Sequence, residues 1–132
     1  MKFLIALALS VTIILAGSLY PFRLRLPSDG MGPVAALFES LGRSPPWRDF
    51  LANIVFYAPA GLFATLVWAD TRTRRMAQTA LLAAAALSAS NELMQYYVGR
   101  QTSVFDIVAN TFGALLGIIV GILWLQTKRP SA

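Results

Sequence analysis

Residues 105–126 read FDIVANTFGALLGIIVGILWLQ. Asp106 is the only charge in this run of 22 residues. A helix rises 1.5 Å per residue, so the run makes a rod of about 33 Å. A bilayer core is about 30 Å thick and takes about 20 apolar residues to cross. The stretch therefore predicts a membrane-spanning helix, and its neighbours repeat the pattern. Residues 77–97 are alanine-rich and carry Glu92, residues 50–69 form a third run, and residues 3–20 hold no charge at all. The predicted fold is all-α: an integral membrane four-helix bundle, with residues 1–132 as one domain.

Composition agrees with this reading. The chain is 57% hydrophobic and 13% charged, whereas a soluble domain has about 25% charged residues. So few charges cannot cover the surface of so small a globule. Cysteine and histidine are both absent. That excludes disulfides, thiolate zinc sites, haem ligation and histidine bases, so no cofactor and no metal site are predicted. Acid–base chemistry is left to Asp, Glu, Lys, Arg and Tyr.

The longest connection, residues 21–48, contains Pro21, Pro27, Pro33, Pro45 and Pro46, so it is not a continuous helix. Within it Val34, Leu37, Phe38 and Leu41 fall at i, i+3, i+4 and i+7. That spacing predicts a short amphipathic helix between Pro33 and Gly42, lying on the outer leaflet or capping the bundle.

The charges orient the spans. With the N-terminus inside, Lys2, Arg72, Arg74, Arg75, Lys128 and Arg129 are cytoplasmic, opposed there only by Asp70. The other side holds Arg23, Arg25, Arg43, Arg48 and Arg100, balanced by Asp29, Glu39, Asp49, Glu92 and Asp106. The whole net charge of +5 thus falls on one face, as the positive-inside rule requires for cytoplasmic N- and C-termini. Tyr20, Trp47, Tyr96 and Tyr97 at one boundary and Trp68 and Trp124 at the other fit aromatic belts. Basic residues placed this way serve topology and anionic lipids, so nucleic-acid binding has no support. Lys2, the first apolar run and Ala16-Gly17-Ser18 also permit a cleaved signal peptide, although the run is long for one.

Ionisable groups inside spans are costly and usually face a bundle interior. Here Asp49 and Asn53, Glu92 and Gln95, and Asp106 and Asn110 each share a helix face, with Ser88 one turn before Glu92. All three pairs fall about one turn below the outer surface by helix rise. A common polar chamber is the expectation, with Arg100 or Arg48 pairing with Glu92 or Asp106. Gly113, Gly117 and Gly121 let another backbone approach the last span, with packing inside the chain favoured over a homodimer. Pro59 should kink the second span, and Gly61 permits close contact there.

In the order Asp49-x-x-x-Asn53, Pro59-x-Gly61, Glu92-x-x-Gln95, Arg100 and Asp106-x-x-x-Asn110-x-x-Gly113-x-x-x-Gly117, the chain resembles the VanZ-like family of small bacterial membrane proteins. The motifs cover residues 47–121; the first span and long loop resemble the family in layout. The name-giving member is associated with low-level resistance to teicoplanin. The resemblance implies a protein of the bacterial cytoplasmic (inner) membrane, close to cell-envelope metabolism; glycopeptide susceptibility is the family's association, and the resemblance does not imply that this chain confers resistance. It leaves the mechanism open.

Three functions compete. The first is binding or modulation of a lipid-linked envelope precursor, with Asn53, Gln95, Arg100 and Asn110 lining the pocket. The second is an intramembrane enzyme, with Glu92, Asp106 and Asp49 as acid–base groups or ligands of a hard cation. The third is a structural or assembly role, with the polar groups as interhelical glue. Proton transport through Glu92 lacks a continuing polar path across residues 80–87.

Overall fold

A computed structural model of the chain describes residues 1–25, 30–68 and 73–128. Among them there are helices and no strands. The helices are α1 (Lys2–Leu19), α2 (Pro33–Glu39) with a 3-10 turn at Ser40–Gly42, α3 (Trp47–Val67), α4 (Thr73–Tyr97) and α5 (Val104–Thr127). Asp29, Asp70, Arg72 and Arg129, used above to orient the chain, lie outside the described residues.

Local chemistry explains the boundaries. Pro33 occupies the first turn of α2, where its missing N–H costs nothing. α3 begins directly after Pro45-Pro46, three residues earlier than hydropathy suggests, because hydropathy does not see Trp47-Arg48-Asp49 as helical. It runs unbroken through Pro59. α4 ends at Tyr97, and Gly99 follows with φ +73°, a left-handed conformation that favours glycine. The Arg100 N–H then returns to the Gln95 carbonyl at 2.9 Å. α5 is capped by Ser103, whose Oγ accepts the Asp106 N–H at 3.3 Å. Asp106 in the first turn also suits the positive end of the helix dipole.

Packing is most intimate between α3 and α5. A Cβ on Gly61 would overlap the Ala114 carbonyl, one on Gly113 the Ile54 carbonyl, and one on Gly117 the Ala58 carbonyl. The glycines of α5 thus seat against backbone of the same chain. α4 packs against α5, and α1 mainly against α3. Phe3 meets Trp124 edge to face at 6.1 Å, so the start of α1 and the end of α5 share one end of the molecule. Lys2 and Lys128 sit over those same two rings.

Many large apolar side chains point outward, and small ones make up much of the core. Leu4, Leu9, Leu82, Val55, Val120 and Leu123 are exposed, while Ala60, Ala64, Ala80, Ala109 and Ala114 are buried. A soluble protein does not present apolar surface on this scale. Lipid-embedded helices do, because association there rests on close packing of small residues. α1, α3 and α5 are long and apolar enough to cross a membrane. α4 has ample length at 25 residues, but its polar side chains lower its hydropathy.

The loop helix α2 forms where the spacing predicts a helix. Its apolar stripe is turned mostly outward: Val34, Phe38 and Leu41 are exposed and no α2 residue is buried. What ties this segment down is the turn after it. Ser40 is buried, and its Oγ accepts the Val104 N–H at 2.9 Å while donating to the Leu37 carbonyl at 2.6 Å.

Candidate functional site

The end of the molecule opposite Lys2 and Trp124 carries a polar site built from three segments. α3 supplies Asp49, Asn53 and Tyr57, all on one face at four-residue spacing. α4 and its exit supply Gln95 and Arg100, and the first turn of α5 supplies Asp106. Two cavities meet here. One, of about 280 Å³, lies under the loop turn and is lined by Ser40, Arg43, Pro45 and Thr102 among others. The second, of about 240 Å³, lies between α1 and α3 against Ile13, Gly17, Asn53, Phe56 and Tyr57. Asp49, Gln95, Arg100 and Asp106 line both. The two cavities are therefore two sides of one polar partition.

Asn53 lies beside the Asp106 carboxylate, and Asp49 and Arg100 are close enough for their charges to act on it. Arg100 does not form the ion pair expected of it. Its Nη1 donates to the Gly17 carbonyl at 2.9 Å, joining the α4–α5 turn to the last turn of α1. A guanidinium has five donors in a fork, so this bond leaves others for the cavities. Arg48 stands apart, stacked 5.6 Å from the Trp47 ring. Among the described residues the sole ion pair is Arg43–Glu39 at 2.8 Å, out on the loop.

Glu92 and Asn110 do not line either cavity. Glu92 is 1% exposed, and its Oε2 accepts the Ser103 N–H at 2.9 Å. It caps the chain entering α5 from within. Asn110 lies on the next turn inward, and its Nδ2 donates to Ser88 Oγ at 2.9 Å. Around that bond the Asn110 Oδ1, both polar atoms of the Asn91 side chain and the Tyr57 hydroxyl are buried without a hydrogen bond of good geometry. The Tyr57 hydroxyl lies beside Ser88 and Asn91. The polar residues thus divide into an open layer (Asp49, Asn53, Gln95, Arg100, Asp106) and a sealed layer (Glu92, Ser88, Asn91, Asn110), with Tyr57 against both. No group of three or more carboxylates among the described residues is placed to hold a metal ion.

Tyr57, Asn91, Ser103 and Ser40 were not singled out by sequence. Two of them carried a usable signal. Tyr57 is four residues after Asn53, and Asn91 sits three after Ser88 and four before Gln95, both helical neighbours of recognised polar positions.

The same segments carry the family relationship. Residues 3–125 of 132 match the family model described as VanZ/LLP1. The chain belongs to the VanZ/LLP1 family. The match extends beyond the polar motifs to α1 and the long loop, which by sequence resembled the family only in layout. No curated protein and no solved structure matches the chain. Family membership and three apolar helices together make this VanZ/LLP1 member a membrane protein in contact with lipid.

Proposed function

We propose that this VanZ/LLP1 protein binds or modulates a lipid-linked cell-envelope component through the open polar layer. In this reading α1, α3, α4 and α5 all cross the bacterial inner membrane, both termini are cytoplasmic, and the polar layer lies in the outer leaflet. α4 crosses because its polar side chains Ser88, Asn91, Glu92 and Gln95 are buried against other helices rather than offered to lipid. α2 turns its exposed stripe toward the head-group region. A link to glycopeptide susceptibility follows if the bound component is the one such drugs target.

The observation that carries the reading is the cavity between α1 and α3. Its floor is polar, yet Ile13 and Phe56 at its edge are 55% and 53% exposed on the apolar flank of the helices. A site polar inside and apolar at the mouth suits an amphiphile approaching from the bilayer, not a water-soluble solute. Asp49 and Asp106 suit hydroxyl and ammonium groups, the amides of Asn53 and Gln95 suit sugar or peptide, and Arg100 suits a phosphate.

Binding of a lipid-linked cell-wall precursor to the protein in nanodiscs tests it. Asn53→Ala with Gln95→Ala should weaken binding at least about tenfold, the effect of about 1.4 kcal/mol, in protein whose melting curve still shows a cooperatively folded chain. Equal binding by the double variant and the parent removes the cavity from the account.

One observation favours an enzyme acting at this site: Asp49 and Asp106 line the same cavities within reach of each other's charge, an arrangement suited to acid–base catalysis. Turnover of a lipid substrate that stops with Asp106→Asn would select this reading over simple binding.

A further inference from the structure

Further along the helices toward the Lys2 end, an apolar cavity of about 170 Å³ lies between α1, α3 and α4. Leu7 and Val11 of α1, Ala60 and Ala64 of α3, and Ala80 and Ala84 of α4 line it. Tyr57 lines this cavity and the polar one between α1 and α3. The two therefore adjoin at Tyr57, which packs with the buried Ile14 in one cluster.

We infer that this cavity seats a hydrocarbon chain of the same lipid whose head group occupies the polar layer. The inference rests on the reading above and adds where the chain goes. Protein interiors are close-packed, and leucines at the alanine positions of α4 would fill the space. The cavity's lining is almost wholly apolar, so a hydrocarbon chain suits it and a polar group does not. The cavity reaches the outer surface at Ala83, which is exposed, so a chain longer than the cavity can continue into the bilayer. α1 forms one wall of both cavities and buries only Ser10 and Ile14, which makes it the wall most easily displaced when a lipid enters sideways past Ile13.

The test uses the full chain in phosphatidylcholine nanodiscs and a polyprenyl-phosphate disaccharide carrying a diazirine in its chain. The expected crosslinks fall on the lining residues Leu7, Val11, Ala80 and Ala84, and drop at least fivefold in Ala83→Trp but not in Ala86→Trp. Ala86 is exposed on the same helix and does not line the cavity. Even labelling of outward residues such as Leu82 and Val120, or labelling unchanged by Ala83→Trp, overturns the chain site. A water-soluble phosphodisaccharide should displace the probe. Crosslinks that map to the cavity but resist this competitor keep the chain site and overturn the head-group reading instead.

Discussion

The α3–α5 seam and the cleft beside α1 are built from similar residues and behave as opposites. At the seam, Gly61, Gly113 and Gly117 bring backbone against backbone with no space for a single added carbon. In the cleft, alanines at 60, 64, 80 and 84 face α1 and leave cavities. Small residues permit approach but do not enforce it. The approach closes where both partners are small, as at the seam. It stays open where α1, rich in leucine and isoleucine, turns most of its side chains outward. Packing is thereby tightest in one interface and loosest in the other.

The largest predicted effect breaks the seam. Gly117→Leu places a side chain where the Ala58 carbonyl stands, and overpacking of this kind costs about 3 kcal/mol. A large drop in melting temperature in detergent is expected, whereas Ala83→Leu in the cleft should leave it nearly unchanged. Similar losses from both would show that the contrast between the two interfaces is not real.

Next comes the sealed layer, which joins α4 to the start of α5. Glu92→Leu leaves the Ser103 N–H without its acceptor. An orphaned buried donor costs about 2 kcal/mol. Glu92→Gln retains an oxygen that can accept the same bond and should lose less than half as much, read as two melting curves. Equal losses would mean that Glu92 matters for its charge rather than as a cap.

The helices, their order and the family were legible because they rest on local signals. Apolar runs, Pro45-Pro46, and the i, i+4 pairs of Asp49 with Asn53 and Asp106 with Asn110 need no knowledge of the fold. The site was legible as a list of residues and not as an arrangement. Helix rise alone set Asn53 and Asn110 at one depth, but the facing of α5 turns Asn110 toward Ser88 and away from the cavity. Arg100 illustrates a second gap. Charge alone favours a carboxylate partner, but the chain end of α1 brings a carbonyl of Gly17 to it. Ser40 could not have been found at all, since its partner Val104 is 64 positions away and no periodicity links them.

That long-range tie predicts a smaller effect. Ser40→Ala removes the acceptor for the Val104 N–H and should cost about 1 kcal/mol. Hydrogen exchange should rise at Val104 while remaining unchanged across the seam. Faster exchange at the seam as well would make the loop part of the rigid half of the molecule.

The smallest effect on stability is also the most informative about the cavities. Arg43 and Glu39 form an exposed i, i+4 pair with side chains 53% and 51% accessible, so Arg43→Ala should change stability by no more than about 0.5 kcal/mol. Arg43 nevertheless lines the loop-side cavity and not the one between α1 and α3. A ligand held in the α1–α3 cavity should bind the variant as it binds the parent. A loss of binding without loss of stability would place the head group on the loop side of the Asp49–Arg100 partition. The cleft beside α1 would then have no claim on the ligand's polar end.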